Sequence, residues 1–322
     1  MLYDIIKHGV TQSALMNYLN CRQYAKLSLE GVRPKRPASY FRYGEICHSV
    51  LEHVYTLVMG GGITMYPDIE EIEVHVANAV KKYEDKNKLF KNPEDEQIAE
   101  LQSVMLEVTI YEYFKYWFKE DFKKVKWLEQ EREFEFPVNI NTLNVPILLR
   151  GKRDASYMDG KNICLFETKT KSQIDDNTFY ELLALDFQVD LYALSLEHDY
   201  KKMPSGCRYN ILRRPGQKLG KNESLKAFKD RLTIDVQDRP DHYFVRYKID
   251  LGKKHMEDFK KELRLILTEY FQWVMKEIPT YKNTRSCISR YGTCQYLPIC
   301  AYGNMTGFHI VKGIHTELTT TR

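Results

Sequence analysis

Three side chains of complementary chemistry, Asp154, Glu167 and Lys169, flank an Asp159-Gly160 dipeptide, a strong signal for a tight hairpin turn. If VPILLRGKRDASYM and NICLFETKTK pair as adjacent antiparallel strands, Asp154 lies on the incoming strand and the other two on the outgoing one. The two-residue period of a strand then puts Glu167 and Lys169 on one face. Two carboxylates can hold a hard divalent cation through oxygen, and an ammonium beside them can orient a water or help remove its proton. A Glu-x-Lys by itself is more often a surface ion pair worth a fraction of a kcal/mol. Here the context argues for chemistry. FETK follows ICLF, an apolar run typical of a strand buried on both faces, so the charges emerge where a central strand leaves the core.

Two further pairs have helical spacing. His48 and Glu52, in YGEICHSVLEHVY, and Gln188 and Tyr192, in DFQVDLYAL, are each four residues apart and so share a helix face. Each pair alone is an ordinary surface pattern; in this order around the hairpin they form a constellation. GKRDA followed by CLFETKT resembles the G-x-x-D and (D/E)-x-K motifs of the PD-(D/E)XK nucleases, and in particular their RecB/AddB-like branch. Arg153 stands where the proline that names the motif would be, a departure that the branch tolerates. The segment around His48 resembles the branch's upstream histidine helix, and Gln188 with Tyr192 its Q-x-x-x-Y helix.

The resemblance implies a metal-dependent hydrolase of DNA. His48, Asp154, Glu167 and the backbone carbonyl of Thr168 would hold Mg²⁺ or Mn²⁺, and Lys169 would position the attacking water. Gln188 and Tyr192 would keep Lys169 or a phosphate in line. By the same resemblance the activity is that of an exonuclease on single-stranded DNA, in recombination, repair or related processing. A non-catalytic DNA-binding scaffold subunit and a nuclease acting on RNA stay open as alternatives. No G-x-x-x-x-G-K-(S/T) loop is present, so any unwinding belongs to a helicase or recombination partner protein.

Four of the seven cysteines form a second candidate group. Cys47, Cys164 and Cys207 sit in apolar or strand-like contexts and read as ordinary buried thiols. Cys21 lies far upstream, whereas Cys287, Cys294 and Cys300 fall in CISRYGTCQYLPIC with six and five residues between them. Structural zinc sites usually show two close C-x-x-C pairs, and this spacing has none; an iron–sulfur cluster accepts thiolates from irregular loops. One early cysteine and three late ones resemble the iron–sulfur nucleases of the same branch, including the four-cysteine exonucleases associated with CRISPR adaptation. Those commonly place two residues between the second and third cysteines, where this chain has six. The resemblance implies a 4Fe–4S cluster on Cys21, Cys287, Cys294 and Cys300 that cross-links the chain ends; zinc stays open.

The elements that must position these groups change period along the chain. Helical spacing runs from Thr11 or Ser13 to about Leu27, from Tyr40 to Met59 with an end at Gly60-Gly61-Gly62, and over about 69–88 and 94–119. EREFEFPVNI then alternates as a strand, the two hairpin strands follow, and helical spacing returns over 176–199. CRYNILRR and HYFVRYKID read as strands, and MEDFKKELRLILTEYFQWVMKEI as a long amphipathic helix. This order suits an α/β fold, a mixed-sheet core with an added helical layer, restriction-endonuclease-like by the resemblance. The expected organisation is one integrated domain over 1–322: a helical region over 1–122, a core over 123–252, and a C-terminal helix with the cysteine segment over 253–322. A Rossmann fold is excluded by the lack of a glycine-rich turn after a first strand.

A net charge of +4 permits nucleic-acid binding without a histone-like excess, through loops such as RPKRP near 33 and RRPGQKLGK near 213. Some of the 23 tyrosines and 15 phenylalanines would stack bases in a single-strand channel. No apolar run of about eighteen residues indicates a membrane span, and the N-terminus lacks a signal-peptide pattern. An odd number of cysteines without such a signal points to a reducing, cytoplasmic compartment.

Overall fold

The computed structural model describes residues 3–35, 39–59, 67–87, 93–140, 146–173, 176–289, 292–313, 315 and 318. The chain opens with α1 (Ile5–His8), β1 (Val10–Thr11), α2 (Gln12–Asn20), α3 (Arg22–Leu29) and β2 (Val32–Pro34). The single helix expected up to Leu27 is therefore two. They break at Cys21, whose backbone is extended (φ −162°, ψ 116°) while its N–H still donates to Asn17 O. Both halves keep an apolar face, so the periodicity conceals the break.

Three long helices follow, α4 (Ser39–Met59), α5 (Ile69–Asn87) and α6 (Pro93–Lys123), close to the expected bounds. The glycine run expected to end α4 lies outside the described residues. Then come β3 (Lys126–Val138), β4 (Ile147–Asp159) and β5 (Asn162–Lys171). Helical spacing over 176–199 also resolves into two helices, α7 (Asp176–Leu183) and α8 (Phe187–Tyr200). Asp186 starts the second one by accepting from the Gln188 N–H at 2.9 Å, a cap of the usual kind.

After β6 (Gly206–Arg213) the structure inserts α9 (Leu225–Asp238), a helix beyond those expected from the sequence. Ser224 caps it, and Phe228, Leu232 and Val236 recur at helical spacing on its buried face. His242 and Tyr243, expected in a strand, belong to α10 (Pro240–Tyr243), and the strand itself is β7 (Phe244–Asp250). The chain closes with α11 (Lys253–Val274), β8 (Ile288–Ser289), β9 (Gly292–Thr293), α12 (Leu297–Tyr302) and β10 (Phe308–Ile310).

β3 and β4 pair antiparallel from Lys126↔Met158 to Val138↔Ile147, with a register shift between Trp127 and Glu129. β4 and β5 pair only beside their turn, from Asp159↔Asn162 to Ala155↔Phe166, with Gly160 taking the left-handed conformation (φ 60°) that the turn needs. Beyond Ala155 the strands part. β1 takes the edge of β4 that β5 leaves, parallel at Val10↔Leu149 and Thr11↔Arg150. β5 runs on beside β6, parallel from Cys164↔Gly206 to Lys171↔Arg213, and β7 pairs antiparallel with β6.

Helices cover both faces of this mixed sheet. One core gathers Leu15, Leu191, Leu263 and Trp273 from α2, α8 and α11; the other gathers Val54, Ile72, Leu106 and Phe228 from α4, α5, α6 and α9. Among the described residues no helix is long and apolar enough to cross a membrane.

Arg153, standing in place of the motif's proline, is fully buried. Its guanidinium donates at 2.7 Å to Glu129 of β3 and to Ser195 and Asp199 of α8, so it locks the strand carrying Asp154 to both neighbours. Removing one partner of a buried ion group leaves the other charge uncompensated and costs about 3–5 kcal/mol. Arg153→Ala is therefore expected to lower unfolding stability by about that amount in urea denaturation, and adding Glu129→Gln to recover some of the loss. A loss below about 1 kcal/mol would show that the strand is held by other contacts.

Candidate active site

Asp154 and Glu167 are the first residues beyond the last paired positions, Ala155↔Phe166, and so stand where β4 and β5 separate. The Thr168 N–H donates to Asp154 Oδ2 at 2.8 Å rather than to a carbonyl across the hairpin. On the other side of β4, the pairs Gln130↔Ala155 and Arg132↔Arg153 bracket Glu131, which therefore faces Asp154 directly. Like charges opposite one another in an antiparallel pair repel. Lys152 offsets this, with Nζ 2.7 Å from Glu131 and 3.2 Å from Glu52 on α4.

Glu131 does not stand out in the sequence, and the reason is geometric. By period two, Glu129, Glu131, Glu133 and Glu135 all share one face of β3. The structure breaks that alternation: Glu131 has φ 48°, a conformation that costs a non-glycine residue about 1–3 kcal/mol and clusters at functional sites. Glu129 consequently bonds Arg153, whereas Glu131, two residues on, bonds Lys152, the neighbour of Arg153 on the opposite face of β4. His48, Glu131 and Asp154 each bring a ligand atom within 4.8 Å of the others. With Thr168 they line a cavity of about 10 Å³, room for a single water or ion. An imidazole with hard carboxylate oxygens fits a divalent cation such as Mg²⁺ or Mn²⁺.

The remaining expected residues assemble alongside. Glu167, almost fully buried, accepts from Lys169 Nζ at 2.6 Å and from Gln188 Nε2 at 2.8 Å. Lys169 also donates to Gln188 Oε1 at 2.7 Å, and Gln188 Nε2 reaches the Tyr192 hydroxyl at 3.2 Å. Gln188 thus bonds both members of the Glu-x-Lys pair, with Tyr192 behind it. Among the described residues Glu167 is not a member of the close group of His48, Glu131 and Asp154.

Burial governs the protonation of the site. It pushes the Glu131 carboxyl up to about 8 and that of Glu167 up to about 7, with the charge of Asp154 adding to both. Burial likewise raises Asp154 and lowers His48, which keeps the imidazole neutral and able to bind a cation. Burial works against the charge of Lys169, yet Glu167, Asp186 and Asp154 more than offset it and hold the ammonium above its ordinary value.

The four cysteines set apart in the sequence also converge. Cys21, Cys287, Cys294 and Cys300 line one cavity of about 240 Å³, together with Tyr24 and Tyr296. The Asn283 N–H donates to Cys21 Sγ at 3.4 Å, and the Cys294 N–H donates to Cys287 O at 2.8 Å. β10 pairs antiparallel with β2, Ile310↔Val32, and so draws the late segment onto the early one. Burial raises the thiols of Cys294 and Cys300. Cys47, Cys164 and Cys207 are buried elsewhere, as expected. Of the two basic loops, Arg36 and Pro37 of the first lie outside the described residues. In the second, Arg213 Nε donates to His242 O and Arg231 holds Gln217 and the Lys218 carbonyl.

A model of the PD-(D/E)XK nuclease superfamily matches residues 9–301. A solved structure from Eubacterium rectale, named as a candidate exonuclease, shares 10% identity at a TM-score of 0.44, covering 95% of this chain and 90% of its own. Another, named SSO0001, shares 12% identity at a TM-score of 0.28, covering 62% of this chain and 85% of its own. No curated protein matches the chain significantly.

A carboxyl whose folded pKa lies above its unfolded value binds its proton more tightly in the fold. Its contribution to stability is complete below the ordinary value of 4.5 and is lost as pH rises through about 7 and about 8. The metal-free protein is therefore expected to lose thermal stability between about pH 5 and pH 8.5, and Mn²⁺ to raise Tm more at the upper pH, where it competes with fewer protons. A Tm indifferent to Mn²⁺ at both ends would remove His48, Glu131 and Asp154 as a metal site.

Proposed function

Since this chain belongs to the PD-(D/E)XK nuclease superfamily, we propose that it is a Mg²⁺- or Mn²⁺-dependent deoxyribonuclease, an exonuclease on single strands in recombination, repair or related DNA processing. The observation that carries this reading is the close group of His48, Glu131 and Asp154 beside the Glu167, Lys169 and Gln188 network. His48, Glu131, Asp154 and the Thr168 carbonyl would hold the cation, with Glu167 shared between it and Lys169. When bound, the cation supplies positive charge to the phosphate and lowers the pKa of a bound water. Lys169, fixed by Glu167 and Gln188, positions that water and stabilises charge building on the phosphate oxygens. Tyr192 steadies Gln188 from behind.

In the same reading the chain falls in the RecB/AddB-like branch, and Cys21, Cys287, Cys294 and Cys300 hold a 4Fe–4S cluster. What supports a cluster over a single zinc ion is the size of the cavity that the four cysteines line, about 240 Å³, and their irregular spacing. Its role is a cross-link between residue 21 and residues 287–300, where closing so long a loop removes much unfolded-state entropy. A cytoplasmic location keeps such thiolates available, and unwinding would come from a partner helicase.

The decisive experiment is cleavage of end-labelled single- and double-stranded DNA with Mg²⁺ or Mn²⁺. Lys169→Ala and Glu131→Gln are each expected to lower kcat by about 100- to 1,000-fold with the fold intact, and circular single strands to resist digestion. Wild type that binds DNA without cutting it would make the protein a scaffold; preference for an RNA strand would change the substrate class. For the cysteine site, anaerobically purified protein is expected to carry about four iron and four sulfide per chain, and Cys294→Ser to lose both together with thermal stability. Stoichiometric zinc in place of iron would overturn the cluster.

A further inference from the structure

Among the described residues, the guanidinium of every buried or half-buried arginine but one donates to, or pairs with, an oxygen; those of Arg153, Arg208 and Arg246 have carboxylates. The exception is Arg214. It is half-buried, and its guanidinium lies 5.3 Å over the ring of the buried Tyr43. A guanidinium stacked on an aromatic face is held flat and oriented before any ligand arrives, with its N–H fork free. The N–H groups of this guanidinium still reach water and have no protein acceptor among the described residues, so they are open to an acceptor on a ligand.

Its place in the fold says which ligand. The Arg214 backbone N–H donates to the carbonyl of Lys171 at 2.7 Å, just beyond the last β5–β6 pair. Lys171 pairs with Arg213, so Arg214 lies three strand positions past the level of Lys169, roughly 10 Å along the sheet, and one strand across, about 11 Å in all. Tyr43 belongs to α4, the helix that carries His48. Its neighbour Gly44 approaches Thr170 of β5 so closely that an added Cβ would lie 2.9 Å from Oγ1. The ring under Arg214 and the imidazole of the metal group are thus fixed by the same helix, on the same side of the sheet. A nucleic-acid strand advancing about 3.4 Å or more per nucleotide covers that distance in two or three nucleotides.

We propose that Arg214 binds a backbone phosphate of the substrate strand two or three nucleotides from the scissile bond, setting the register in which the strand crosses the metal group. This rests on the nuclease reading. A bidentate guanidinium–phosphate contact carries geometry as well as charge, so Arg214 positions the strand and takes no role in bond breaking.

The test uses Lys169→Ala protein, which binds without cutting, and a fluorescein-labelled single strand of about 20 nucleotides carrying one neutral methylphosphonate, scanned along its length. With Arg214 present, one position two or three nucleotides from the bond cut by wild type is expected to weaken binding by about ten-fold. Arg214→Ala is expected to weaken binding of the unmodified strand by a similar factor, to lower the salt slope by about 0.7, and to erase the effect of that methylphosphonate. Arg214→Met, which keeps packing over Tyr43, should behave as the alanine variant does at unchanged Tm. A scan that stays the same in both variants, on DNA that wild type cuts, overturns the role of Arg214 alone. Wild type that neither binds nor cuts DNA overturns the nuclease reading and this inference with it.

Discussion

Two antiparallel strands joined by a tight turn ordinarily pair along their whole length, and in this protein β4 and β5 do so only as far as Ala155↔Phe166. Everything at the site depends on that separation. Backbone groups in a covered sheet must find other partners once a ladder stops. β1 supplies them to β4 at Leu149 and Arg150, β6 supplies them to β5, and the Thr168 N–H turns to the Asp154 carboxylate. A gap opens in the middle of a sheet that is otherwise packed on both faces, and polar side chains from both sides meet in it.

What enters the gap is an excess of negative charge that the fold alone satisfies poorly. Glu131, Asp154 and Glu167 crowd together, with Lys152 braced by α4 on one side and Lys169 braced by α8 on the other. Such a site is held against its own repulsion by stronger contacts nearby. Arg153 clamps β4 to β3 and α8; across the sheet, Arg246 forks onto the buried Asp121, whose other partner is the Tyr55 hydroxyl. Because the Arg153 clamp joins β3, β4 and α8, which carry Glu131, Asp154 and Gln188, the strained backbone of Glu131 is stabilised by its surroundings and not by its own local preference.

The two ends of the chain belong to the same construction. β1 is a strand of the main sheet, the Tyr3 hydroxyl meets that of Tyr270 at 2.8 Å, and β10 adds to β2 beside the cavity of the four cysteines. α2 leads directly from β1 to Cys21, so the segment that lines the cysteine cavity adjoins the strand that fills the edge of β4.

The sequence by itself determined the features written in local spacing. The turn at Asp159-Gly160, the shared face of Glu167 and Lys169, the helical pairs at His48 and at Gln188 with Tyr192, and the four cysteines set apart from three buried ones all follow from period and context within a few residues. Tertiary structure alone decided the rest. Which of four alternating glutamates meets Asp154 depends on the register of β3 against β4 and on one left-handed residue, neither of which alternation encodes. The breaks at Cys21 and ahead of Asp186 fall where both flanking segments keep their apolar faces, so periodicity passes straight through them. Arg214 reads in sequence as one more basic loop residue; only the packing of α4 against β5 and β6 puts a tyrosine ring beneath it. Local sequence specifies which side chains share a face, but strand register and helix docking, set by the collective burial of distant residues, specify which faces meet.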